Sequence, residues 1–70
     1  MAQKIIQISM KAARIDHGLT QEAIAQRLGV SKTAYAAWEN GYVLPKPMVI
    51  KALAYEYKMH ESQLRIPTPK

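Results

Sequence analysis

Side chains able to do chemistry are few in this 70-residue chain, and their spacing does not suit catalysis. Cysteine is absent, which removes thiolate nucleophiles, zinc–thiolate sites and disulfides together. His17 and His60 are distant in sequence and belong to no ligand cluster, so no metal site is expected. No glycine-rich phosphate loop is present, and no histidine–carboxylate cluster that helix spacing would assemble. Glu22 and Glu39 find a simpler use in helix-end electrostatics and ion pairing. An enzyme is therefore not expected, and neither is a cofactor. What remains is the chemistry of a cation meeting a polyanion. Ten Lys and Arg oppose five Asp and Glu, a formal charge of +5 that attracts a domain this small to nucleic acid.

The elements that must position any contact are legible in the run from Thr20 to Gly41, TQEAIAQRLGVSKTAYAAWENG. Thr20 caps one helix, over Gln21 to Leu28, and Gly29 ends it in the left-handed conformation. Ser31 caps a second helix, over Lys32 to Asn40, and Asn40-Gly41 stops it. Ile24, Ala25, Leu28, Val30, Tyr35 and Trp38 supply the seam between the two, and Ala25 must stay small for them to approach. This is a helix-turn-helix, whose usual task is to seat its second helix in the major groove of double-stranded DNA.

Gly18, Gly29 and Gly41 mark a rhythm of short helices and tight turns that leaves no room for paired strands. An earlier helix is expected from about Gln3 or Lys4 to His17, with Ile6, Met10, Ala13 and Ile5 inward. Tyr42 to Pro47 reads as a loop, and Pro47 opens a fourth helix that reaches Tyr57 with Val49, Ile50, Leu53, Ala54 and Tyr57 toward the core. A last short helix is expected over His60 to Leu64, packing Met59 and Leu64. Residues 1–66 then form one all-α domain of four to five helices, and 67–70 a flexible tail, with fraying already from Ile66. The N-terminus lacks the long apolar centre of a secretory signal and no run is long enough to span a bilayer, so a cytoplasmic protein is expected.

From Met10 to Leu64 the chain resembles the Cro and repressor type of phage and bacterial helix-turn-helix domain, the XRE-like, lambda-repressor-like fold. Arg14, Gly18-Leu19-Thr20-Gln21, Ala25, Leu28-Gly29-Val30-Ser31, Glu39-Asn40-Gly41, Pro45 and Ala54 carry the resemblance, over about four-fifths of the chain. It implies a bacterial cell as the setting. It also implies that Gln21 touches a phosphate or braces the recognition helix, and that Arg14 and Glu39 pair to tie the first helix to the third. Lys32, Thr33, Ala36 and Ala37 would face the bases. Ser31, Asn40, Tyr42 and Lys46 complete the candidate DNA contacts.

The chain departs from the resemblance in two places. Base reading needs donors, acceptors or methyl groups at groove edges, and Ala36 and Ala37 offer only small apolar contacts. Lys32 can donate to guanine or a phosphate, and Thr33 can bond an edge or pack on a thymine methyl. After Gly41 stands Tyr42-Val43-Leu44, an apolar triplet where basic or polar residues usually grip phosphate. Either Val43 or Leu44 folds back onto the core, or the triplet is an exposed patch that binds another protein, or it meets a membrane or simply solvent. Two functions stay open at this point. One is a Cro-like regulator binding operator DNA as a homodimer, with Tyr55, Met59, Leu64 and Ile66 as its self-association surface. The other is an antirepressor that uses the triplet to bind a partner repressor and block its DNA binding.

Overall fold

The computed structural model describes residues 7–67. Within them β1 (Ile8–Ser9) leads into α1 (Met10–Asp16), α2 (Gln21–Leu28), α3 (Lys32–Glu39) and α4 (Pro47–Glu56). A single 3-10 turn (Glu61–Gln63) and β2 (Leu64–Arg65) follow. The all-α reading stands, with four helices and the 3-10 turn where a fifth helix was expected.

Serine and threonine side chains set the starts of the first three helices. The hydroxyl oxygens of Ser9, Thr20 and Ser31 accept from the backbone N–H groups of Ala12, Ala23 and Ala34 at 3.1, 3.0 and 3.1 Å. Each satisfies a donor that the first helical turn leaves without a partner. Pro47 opens α4 without a side-chain cap, its fixed φ already suited to the first helical position.

Gly29 has φ 73°, and a Cβ built there meets no heavy atom within 4 Å. Replacing it with alanine therefore costs backbone strain alone, about 1–2 kcal/mol. Lys58 holds the same left-handed conformation after α4, with φ 52°, in spite of its Cβ. Urea denaturation should show Gly29→Ala less stable than the natural chain and Lys58→Gly more stable, by up to about 1 kcal/mol.

Three expectations are corrected toward the two ends of the described residues. The first helix begins at Met10, not near Lys4: Ser9 caps it, and Ile8–Ser9 instead pairs in parallel with Leu64–Arg65. Apolar periodicity alone extends a helix past its cap, because it does not register that a serine has intervened. The expected positions Gln3, Lys4, Ile5 and Ile6 lie outside the described residues. The paired strands, which the glycine rhythm seemed to exclude, are two residues each and bring the two ends of the domain together. The Gln7 side-chain amide reinforces this closure by donating to the Ser62 carbonyl at 3.3 Å. His60 to Leu64 forms the 3-10 turn and then a strand, not a helix. The His60 ring and the Gln63 side chain cap the turn reciprocally.

The core gathers Met10 and Ala13 of α1, Ile24 and Ala25 of α2, Tyr35 of α3, Leu53 and Tyr57 around α4, and Leu64 of β2. Leu19, Leu28, Val30, Trp38, Val49, Met59 and Ile66 pack against it while partly exposed. Ile66 is thus seated on the core, contrary to the expected fraying from that residue. Of the four residues expected to form a self-association surface, Leu64 is buried, Met59 and Ile66 serve the core, and Tyr55 alone is exposed.

Candidate nucleic-acid interface

α2 and α3 pack through Ile24, Ala25 and Tyr35, all buried, with the Trp38 ring edge-on to Tyr35 at 6.3 Å. The turn between them is closed by the Val30 N–H donating to the Ala25 carbonyl at 3.0 Å. Ala25 is 1% exposed, so the seam has no room for a longer side chain at that position.

An ion-pair network fixes α3 to the rest of the domain. Arg14 grips Glu39 with two donors, Nε to Oε2 at 3.0 Å and Nη2 to Oε1 at 3.1 Å. Its remaining nitrogen, Nη1, donates to the Leu19 carbonyl at 2.8 Å. The Gln21 amide donates to Glu39 Oε1 at 3.2 Å. Of the two roles implied for Gln21, this geometry is the brace. Burial works against the Glu39 charge, yet hydrogen bonds from Arg14, Tyr35 and Gln21 outweigh it and hold the carboxyl below its ordinary range. The hydrogen bond to Glu39 likewise raises the Arg14 guanidinium, against a smaller desolvation cost. Beneath this network the Tyr35 and Tyr57 hydroxyls meet at 2.8 Å, a contact that the helical spacing of either residue did not disclose.

With α3 so held, Lys32, Thr33, Ala36, Ala37, Asn40 and Tyr42 line one shallow groove of about 370 Å3. Lys32 also borders a second concavity with Arg14, Thr20, Gln21 and Glu22. Lys32, Thr33 and Asn40 are exposed. The Ser31 hydroxyl oxygen is occupied as the α3 cap. Lys46, also exposed, sits at the start of α4 and does not line that groove.

The Tyr42 and Val43 N–H groups both donate to the Ala37 carbonyl, at 2.9 and 3.3 Å, so the apolar triplet is tied to the end of α3. Neither Val43 nor Leu44 folds back. Tyr42, Val43 and Leu44 are 77%, 51% and 53% exposed, and the loop residue that turns inward is Pro45. The proline fills the inward position, and that leaves the triplet outside.

Two capped helices locked by a tight turn, the second presenting an open face, define a helix-turn-helix domain, a fold capable of binding DNA. A helix-turn-helix family profile matches residues 10–64, and the chain belongs to that family. Among curated proteins and among solved structures no match was found. No helix of the described residues is long and apolar enough to cross a membrane.

Proposed function

We propose that this domain is a small Cro-like transcriptional regulator that reads operator DNA with α3, in a bacterial cytoplasm and without catalytic activity. The observation that carries the reading is the groove along α3, with Lys32 and Thr33 exposed at its capped end. A groove floored by Ala36 and Ala37 supports a short base alphabet, with the remaining specificity coming from DNA shape. One domain covers about one half-site, and paired half-sites lie roughly 34 Å apart, so two copies act together. Tyr55 is the exposed residue through which they would associate.

Labelled genomic fragments titrated at about 50 mM salt should be retarded, and affinity should fall steeply as salt rises. Lys32→Ala should weaken binding about tenfold and flatten the salt dependence. Absence of any retardation at low salt would sink the reading.

A second reading, an antirepressor that binds a partner repressor, is favoured by the exposure of Tyr42, Val43 and Leu44. It reverses the order of the mutants. Val43→Asp and Leu44→Asp would then abolish function with the fold intact, and Lys32→Ala would scarcely matter.

A further inference from the structure

Beyond the triplet, the exposed apolar surface continues along the chain. Between Tyr42 and Met48 only Pro45 is buried, and Met48, in the first turn of α4, is 82% exposed. Leu44 and Met48 stand at either side of the proline-stiffened entry to α4, so this edge is held in place by Pro45 and Pro47 rather than by mobile chain. Single exposed apolar residues need no explanation, but Tyr42, Val43, Leu44 and Met48 within seven residues do.

The charges along this stretch of the chain have one sign. From Tyr42 to Tyr55 the chain carries Lys46 and Lys51 and no carboxylate. The next acid, Glu56, is engaged by Arg27 at 3.4 Å; Glu61 shares a groove with Pro47, Lys51 and His60, though among the described residues no ion pair joins it to Lys51. A second copy placed two-fold on this edge would oppose lysine to lysine, which like-charge repulsion disfavours. The recognition face of another basic DNA-binding domain would meet the same repulsion.

We infer that the edge from Tyr42 to Met48 is a docking surface for an acidic amphipathic segment of a different polypeptide. The partner lays its apolar side chains over Val43, Leu44 and Met48 and sets its carboxylates against Lys46 and Lys51. The inference uses the same surface as the antirepressor reading but specifies the chemistry of what covers it; Tyr42 and Lys46 are shared with the candidate DNA contacts, whereas Leu44, Met48 and Lys51 are not.

The test uses the full chain and two fluorescein-labelled synthetic helical peptides. Both carry leucines along one face, and the flanking positions are glutamate in one and lysine in the other. The acidic peptide should bind saturably by fluorescence anisotropy, weaken as salt rises, and lose about tenfold in affinity to Met48→Gln or Leu44→Ser. Lys51→Gln should reduce the salt dependence. These residues are exposed, and unchanged circular dichroism melts will show that the variants fold. Failure of the acidic peptide to saturate, equal binding of the lysine peptide, or indifference to Met48→Gln would each overturn the inference. So would sedimentation showing a self-associated chain that Met48→Gln converts to monomer, since a second copy would then occupy the edge. DNA retardation measured on the same variants keeps the outcomes separate, because loss of peptide binding with DNA binding intact removes this inference alone.

Discussion

Glu39→Ala is expected to cost about 3–5 kcal/mol, because it leaves the Arg14 guanidinium nearly buried without its counter-charge. The two side chains are 12% and 4% exposed, so water replaces the lost partner only in part. A 70-residue domain has roughly 4–10 kcal/mol of stability in total, and the variant should be largely unfolded or close to it at 37 °C. Urea denaturation followed by circular dichroism measures this directly. The paired replacement Arg14→Met with Glu39→Leu should recover most of the loss, since removing both charges also removes their desolvation cost. If Glu39→Ala melts like the natural chain, the pair does not hold α3 in place. The same carboxylate sets an acid limb. Its folded pKa lies below the unfolded value of about 4.3, so its stabilisation is complete above that value and is lost as pH falls through the folded pKa. Glu39→Gln should flatten that limb.

Alkali is expected to unfold the domain through the tyrosine pair. Tyr35 and Tyr57 are 0% and 1% exposed, and burial raises both phenols above their ordinary value. For Tyr35 the hydrogen bond with its partner adds to the rise; for Tyr57 it opposes a larger burial effect. A phenol with a raised folded pKa contributes stability that is complete below about pH 10 and lost as pH climbs, because the unfolded chain releases its proton first. Both tyrosines contribute to the loss in that window, so the pair makes it steeper than either phenol alone. Thermal midpoints should hold up to about pH 10 and then fall steeply toward about pH 11.5, and Tyr35→Phe should fall less steeply. Equal slopes for the two proteins would show that the buried pair is not what alkali attacks.

Much of the scaffold is readable along the chain because its signals are local. Thr20, Ser31, Gly29 and Gly41 act on the backbone within four residues of themselves, and a helix start or stop needs nothing more distant. The ion pair of Arg14 with Glu39 was implied by resemblance, and the structure shows it with the expected partners. Apolar periodicity runs past Ser9, so the start of the first helix is set by the serine cap and not by the pattern. The parallel pairing of Ile8–Ser9 with Leu64–Arg65 had no signal of its own: two-residue strands are too short for alternation to register, and their partners are more than fifty positions apart.

The candidate site divides the same way. That Lys32, Thr33, Ala36 and Ala37 stand on the outer face of α3 was implied by the resemblance, on a helix whose start and stop are local signals. Whether Gln21 meets phosphate or Glu39 depends on a side chain reaching across 18 positions, and only the assembled helices present its amide to the carboxylate. The fate of Tyr42-Val43-Leu44 was likewise undecidable from composition. An apolar loop residue is drawn inward only if the core has space left for it, and here the buried Pro45 leaves the triplet outside. By itself the sequence determined the helix-turn-helix, its caps and its charge, since each is set by neighbours a few residues away. The tertiary structure alone decided the bracing of Glu39, the tyrosine contact, the pairing of β1 with β2 and the apolar edge, because these depend on competition among distant groups for one small interior.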